Sequence, residues 1–267
     1  MLYLTGAIFG WMCLATGCGT LAHGRGWGQD AFVHVNAQTT VHAVQNALFD
    51  VQTLLPAAGA IVFAAGGLDH RASDWATEHT PLFGSQETAR NVSGYLRGTL
   101  LAETFVTMLA TPSGNDAKEW LPAKGKGVGV ELLALGATAG TTEVFKRPAN
   151  RTRPDGSSNG SLPSNHASMA FSAATLTNRN VESLHLTPRA RYPLQAANIL
   201  LASGTAWARV EGAKHFPSDV LAGAALGRFL SVVIHDACIG LPAAQRLQLN
   251  LWPSREGVQA QVSFFFD

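Results

Sequence analysis

The chain has 267 residues, 46% of them hydrophobic and 14% charged, with a formal net charge of +1. That length suffices for one compact core, and the near-neutral balance excludes a global electrostatic case for a nucleic-acid partner. A mean hydropathy of +0.10 suits a tightly packed helical protein near a membrane and falls short of a chain made mostly of spanning helices.

Residues 1–22 form an apolar run followed by small residues and read as a leader, although no Lys or Arg precedes the apolar stretch. Three fates are open for it. Ala15-Thr16-Gly17-Cys18 is similar to a bacterial lipobox, which would make Cys18 a lipidation site; cleavage near Ala22 is the second; an uncleaved anchor helix is the third. Each implies export to the cell envelope, periplasmic or membrane-anchored, with membrane association through the N-terminus. The cysteines are Cys13, Cys18 and Cys238. Loss of the leader would leave no intrachain pair, so this is no disulfide-stapled fold. Cys238 reads as a small core residue.

Residues 23–50 read as a polar loop leading into a helix. Val51–Leu68 is apolar but holds Gln52 and Pro56, and reads as a buried core helix. Residues 69–85 read as a loop. Gln86–Leu109 repeats apolar residues at helical spacing (Val92, Leu96, Leu100), with Arg90, Arg97 and Glu103 marking polar positions. Thr111–Lys126 reads as a connector, Val128–Phe145 as a helix, and 149–163 as a polar loop. Helices then follow from Ser164 to about Thr177, over Pro193–Val210 and over Pro217–Ile234, the last two with Pro near the first turn, where a missing N–H costs nothing. In the tail, Leu247, Leu249 and Leu251, then Val258, Ala260, Val262, Phe264 and Phe266, alternate with period two. That pattern predicts a β-hairpin over 241–267, either a ribbon packed on the helices or a docking edge for a membrane or partner.

Three segments carry the chemistry. In the first, Lys146 ends a helix and Arg153 stands in the loop behind it, a cation pair suited to phosphate oxygens; a solvated basic loop is the alternative, since Arg147 and Arg151 are there too. In the second, Pro163-Ser164-Asn165-His166 opens a helix, with Ser164 as N-cap. The N–H groups of Asn165 and His166 then form an anion site, with the His166 imidazolium beside it to protonate a leaving oxygen; an ordinary capped helix is the alternative. In the third, Arg209 precedes His215 by six residues and Asp219 follows it by four. That spacing puts Asp219 in reach of the His215 ring, where a carboxylate would fix the tautomer and leave the other nitrogen free to attack; a salt-bridged cap is the alternative.

Together and in this order, the segments resemble the signature of the type-2 phosphatidic acid phosphatase (PAP2) superfamily: Lys-x6-Arg-Pro, Pro-Ser-Gly-His, Ser-Arg-x5-His-x3-Asp. Two positions depart from it, Asn165 for Gly and Ala208 for Ser. The resemblance implies an all-α helical bundle, here spanning 23–240, and a phosphatase acting on phosphate esters, lipid phosphates or phosphomonoesters, through a phosphohistidine. It implies His215 as nucleophile, Asp219 as its orienting partner and His166 as general acid. Lys146, Arg153, Ser164, Asn165 (through its backbone N–H) and Arg209 would bind the phosphoryl oxygens, with no metal and no cofactor. Asn165 would bear on substrate preference, and Ala208 would remove a little support from Arg209. A vanadium-dependent haloperoxidase, with vanadate in the same pocket, is the alternative enzyme. A non-catalytic envelope protein that binds lipid or a surface through the hairpin and leader is the alternative outside enzymes.

Overall fold

The computed structural model describes residues 17–240, apart from 23 and 34, and the backbone of 247–254 and 257–264. Most of the expected leader, including Ala15 and Thr16 of the lipobox-like run, lies outside the described residues, as do the side chains of the tail. Among the described residues the chain forms α1 (Ala37–Phe49), α2 (Val51–Ala65), α3 (Leu68–His79), α4 (Gln86–Ala110), α5 (Ala117–Ala149), α6 (Asn165–Ser183), α7 (Pro188–Glu211) and α8 (Pro217–Cys238). The fold class is all-α. Beyond the bundle, the backbones of β1 (Leu247–Ser254) and β2 (Gly257–Phe264) pair antiparallel, Leu247 opposite Phe264 and Ser254 opposite Gly257. β1 lies against α1 and α2.

Local chemistry sets the helix starts. Asn36, Ser85 and Ser164 each cap a helix by accepting an N–H three residues on, and Asp116 takes both Lys118 N–H and Glu119 N–H at 2.9 Å. Pro188 and Pro217 stand in the first turns of α7 and α8. Pro193, by contrast, lies inside α7, not at its start.

Several expectations need correction. The stretch 69–85 is not all loop: α3 fills most of it, burying Asp69, Ser73 and Ala76 on one face while Arg71, Asp74 and Glu78 face outward. The polar outer face hid the helical period. The connector 111–126 already contains the first turns of α5, opened by the Asp116 cap and carried through Pro122 by burial of Ala123, Lys124 and Gly127. The region 23–50 is not merely a polar loop. Trp27 is 1% exposed and sits so close to Gly127 that a Cβ there would meet its ring. Backbone pairing of Gly19 with Gly114 and Trp27 with Pro112 ties this segment to the α4–α5 junction. Cys238 is only partly buried. Finally, α2 is no core helix. Of its residues only Thr53 is buried, and Leu55, Ile61 and Val62 are 68%, 69% and 58% exposed, because α2 leans on α8 by one side only.

The centre of the bundle is α6, which packs on α4, α5, α7 and α8 and buries twelve of its nineteen residues. Its interface with α8 is very close. A Cβ on Gly223 would lie 2.6 Å from the Ser164 carbonyl oxygen, and one on Gly227 2.0 Å from that of Ser168. Two glycines four apart on one helix face permit this approach. The interior is lined with small hydroxyls that satisfy one another: Thr142 with Ser168 at 2.9 Å, Ser172 with Ser231 at 2.6 Å, Thr104 with Thr177 at 3.0 Å. Large apolar side chains point outward instead, among them Phe105, Val106 and Leu109 on α4 and Leu132, Leu133, Val144 and Phe145 on α5. By length and composition α5 and α8 can each cross a membrane, and α1 with α2 can do so as a pair bent by 54°.

Candidate active site

The three segments meet at one end of the bundle, where α5 and α7 finish and α6 and α8 begin. Lys146 stands in the last turn of α5 and Arg209 in the last turn of α7. Arg153 is held in the α5–α6 loop by its backbone N–H on the Ser158 carbonyl at 3.0 Å. Ser164, fully buried, donates its N–H to the Asp219 carbonyl at 3.0 Å, which pins the start of α6 to α8. The N–H groups of Asn165 and His166 occupy the first turn of α6, where no intrahelical acceptor exists, so they remain available to an anion.

His215 is 2% exposed, and its Nδ1 lies 2.7 Å from the Ser161 carbonyl. A carbonyl only accepts, so Nδ1 carries the proton and Nε2 keeps its lone pair. This corrects the sequence reading, which gave that task to Asp219. The Asp219 carboxylate is 3.9 Å from Nδ1 and is engaged elsewhere. It accepts from Ser161 Oγ at 2.5 Å, from Phe216 N–H at 2.8 Å and from Arg151 Nη1 at 2.8 Å. Asp219 therefore orients His215 through Ser161, by fixing the residue whose carbonyl holds the ring. The four-residue spacing brought the two groups near, but the α5–α6 loop inserted a better acceptor.

Arg151 was grouped with a solvated loop and is the opposite. Its guanidinium bridges Asp219 and Asp69 (Nη2 to Oδ2, 2.8 Å), donates to Ser218 Oγ at 2.7 Å, and stacks 4.3 Å from the Phe216 ring centroid. Asp69 also receives the Ser218 N–H at 2.8 Å and the Ser218 hydroxyl. Burial pushes the Asp69 carboxyl up, but the bonds from Ser218 and Arg151 outweigh it and hold its pKa below the ordinary value. Asp69, Ser218 and Ser161 were not singled out from sequence. Ordinary Ser and Asp in helix starts carry no distinguishing spacing.

The two departures from the signature have local explanations. The Asn165 side chain donates to Glu143 Oε1 at 3.1 Å, the same oxygen that takes Lys146 Nζ at 2.6 Å. It thus braces the lysine and does not fill the pocket. Beside Ala208, Arg209 finds its hydroxyl on another helix: Nη1 donates to Ser93 Oγ on α4 at 3.2 Å.

The electrostatics are one-sided. Burial first, then Arg209, Arg97, Lys146 and Arg153, press the His166 pKa down to about 3. His215 is held well below the usual imidazole range by burial and then by Arg209, Arg153 and His166, against the Ser161 carbonyl. Both rings are therefore neutral near pH 7. An anion in the cage would cancel the repulsion and let His166 take a proton.

The sign of the stability effect follows. A ring that ordinarily titrates at 6.5 but is held to about 3 when folded is protonated first in the unfolded chain. Its contribution is complete above pH 6.5 and is lost as pH falls through that value toward 3. Melts taken between roughly pH 7.5 and pH 5 are expected to show a falling Tm, partly restored by millimolar inorganic phosphate. A Tm flat in pH and indifferent to phosphate would contradict this site.

With the geometry in place, comparison with known proteins is direct. The PAP2 superfamily profile matches residues 128–238. The matched stretch contains Lys146, Arg153, His166, Arg209, His215 and Asp219. Lipid A 1-phosphatase of Porphyromonas gingivalis is 35% identical over 112 residues, 42% of this chain and 23% of that protein. The chain thus spans about a quarter of the length of this relative. The crystal structure of the transmembrane PAP2-type phosphatidylglycerolphosphate phosphatase of Bacillus subtilis aligns with a TM-score of 0.51 at 21% identity, covering 71% of this chain and 94% of that one. That likeness shows the shared fold.

Proposed function

We propose that the chain is a membrane-associated bacterial phosphatase that hydrolyses lipid phosphate esters through a phosphohistidine on His215. The observation that supports this best is the cage itself: a neutral, tautomer-fixed His215 and a second imidazole, His166, among arginines with no carboxylate partner. His215 Nε2 attacks phosphorus, the N–P bond forms and the ester P–O bond breaks, while His166 gives its proton to the departing oxygen. Water then adds to phosphorus, returns a proton to His166, and the N–P bond breaks to free inorganic phosphate. Lys146, Arg153, Arg209, Ser164 and the Asn165 N–H neutralise the equatorial oxygens throughout. In this reading hydrolysis runs on the protein's own side chains, without metal or cofactor.

The lipid part of the proposal is supported by an apolar groove of about 550 Å³ whose lining includes residues that adjoin cage residues in the chain. Leu162 and Pro163 line it and lead directly into Ser164; Phe145 lines it and neighbours Lys146; Ile61, Ala225 and Phe229 close its far side. A charged head in the cage and an acyl chain in this groove fit one amphiphile. The apolar outward faces of α2, α4 and α5 fit a bilayer around it.

The test is a substrate comparison on the purified full chain in detergent. Phosphatidate is expected to exceed a water-soluble aryl phosphate in kcat/KM by on the order of 10²-fold, the binding contribution of a buried chain spent at the reacting centre. Equal rates on both would remove the lipid reading. Oxidation of a halogenated-phenol dye only with vanadate and peroxide, without phosphate release, would replace the phosphatase by the haloperoxidase.

A further inference from the structure

The α5–α6 loop is a closed finger. At its base the Ser161 N–H donates to the Arg151 carbonyl at 3.0 Å, and nearer the tip the Arg153 N–H donates to that of Ser158 at 3.0 Å. The base is anchored to α8 by the pairing of Arg151 with Asp219 at 2.8 Å. Arg153 stands between base and tip. Its Nε is buried without a hydrogen-bond partner, so the backbone of the finger decides where its charge lies.

The tip has an anchor of its own. Asp155 donates its N–H to the Ala213 carbonyl at 3.1 Å. Its carboxylate Oδ2 accepts from Lys214 Nζ at 2.5 Å and lies 3.8 Å from Arg90 Nη2 of α4, while Oδ1 accepts the Ser157 N–H at 3.1 Å. Arg90 also donates from Nε to the Gly212 carbonyl at 2.7 Å. The loop so gripped, between α7 and α8, carries the opposite wall of the cage: the N–H groups of Lys214 and His215 both donate to the Arg209 carbonyl, at 3.0 and 3.2 Å. Within it Ala213 holds a φ of +57°, a region that favours glycine, so this loop keeps its shape only where neighbours hold it. An isolated ion pair at a surface is weak, but this one is joined to two backbone bonds and a second cation.

We propose that Asp155 is a positioning residue: it fastens the finger of Arg153 to the loop of Arg209 and His215, and so sets the gap across which a phosphoryl group is gripped. This deepens the phosphatase reading above and rests on it wherever turnover is measured. Asp155 acts through the two loops and not on the substrate. Burial raises its pKa, but the bonds from Lys214 and Ser157 outweigh it and bring it down to about 2, so the clamp is charged at any working pH. A displacement of about 1 Å at a site that must hold an in-line transition state costs on the order of 10²-fold in rate.

Asp155→Asn and Lys214→Met, singly and together, test this on the purified full chain in detergent, with phosphatidate for turnover and inorganic phosphate for binding. Asn still offers an oxygen to the Ser157 N–H, so only the tie to the cations is cut. The two substitutions change the charge beside the cage in opposite senses, yet both are expected to lower kcat by roughly 10²-fold per folded chain, to change KM far less and to weaken phosphate binding. The double variant is expected to lose no more than the worse single, because both remove one contact, and Asp155→Glu to restore part of the loss. Phosphate binding that tightens in Asp155→Asn and weakens in Lys214→Met would overturn the proposal, since the pair would then act through its field. Additive losses, or a native kcat in Asp155→Asn, would overturn it too. A native chain that hydrolyses no ester removes the phosphatase reading; the positioning role then stands if both single variants weaken phosphate binding and falls if either leaves it unchanged.

Discussion

His215→Ala is expected to lower phosphate release from a lipid phosphate by roughly 10⁴-fold, about 5.5 kcal/mol of barrier. The proposed two-step route passes through Nε2 of this ring, and in it His166 serves the leaving group while the remaining cage members are cations, a hydroxyl and a backbone N–H. Because His215 is buried and bonded to the Ser161 carbonyl, alanine could also loosen the loop. His215→Asn keeps a donor for that carbonyl and separates the two effects. It should melt close to the native Tm yet form no acid-labile phosphoenzyme when labelled substrate is quenched mid-turnover. Substantial turnover in a folded His215→Asn would dismiss the phosphohistidine.

The second large effect falls on a residue that touches no substrate. Arg151→Met is expected to destabilise the fold by about 3–5 kcal/mol, since it strands two buried carboxylates, Asp69 and Asp219, around an absent cation. For a chain of this size that corresponds to a fall in Tm on the order of 10 °C. The deficit should shrink as pH drops and the carboxylates take up protons, and Asp69→Asn placed in the same chain should recover part of it. A deficit independent of pH would show that only the stacking on Phe216 was lost. As a positioning residue, Arg151 should also affect kcat more than KM, because Asp219 holds Ser161 and Ser161 holds the nucleophile.

The residues of the candidate cage were legible in the sequence because a tetrahedral anion demands a fixed set of partners: two imidazoles, permanent cations, and a helix N-terminus with free N–H groups. Pro163, Ser164 and Pro217 mark helix starts by local chemistry, and the resemblance to the PAP2 signature singled out His166 and His215 beside them. What could not be read was how those residues are held. Ser161 bonds to Asp219 across 58 residues and Ser218 to Asp69 across 149, and no periodic pattern announces a hydrogen bond across such intervals.

The exposure of α2 was missed because Gln52 and Pro56 argued against a span, which left a core position as the reading for an apolar helix. Inside the bundle small hydroxyls such as Thr138, Thr142, Ser168, Ser172 and Ser231 are buried, while Leu55, Ile61 and Val62 of α2 are exposed. The amino-acid sequence by itself determined the helical class and the ends of the helices that carry the candidate site, since each depends on short-range chemistry. Only the tertiary structure decided which acceptor fixes His215, that Arg151 is tied to two carboxylates, and which helix faces leave apolar side chains exposed. Those depend on contacts between segments far apart in the chain, and they are set by packing.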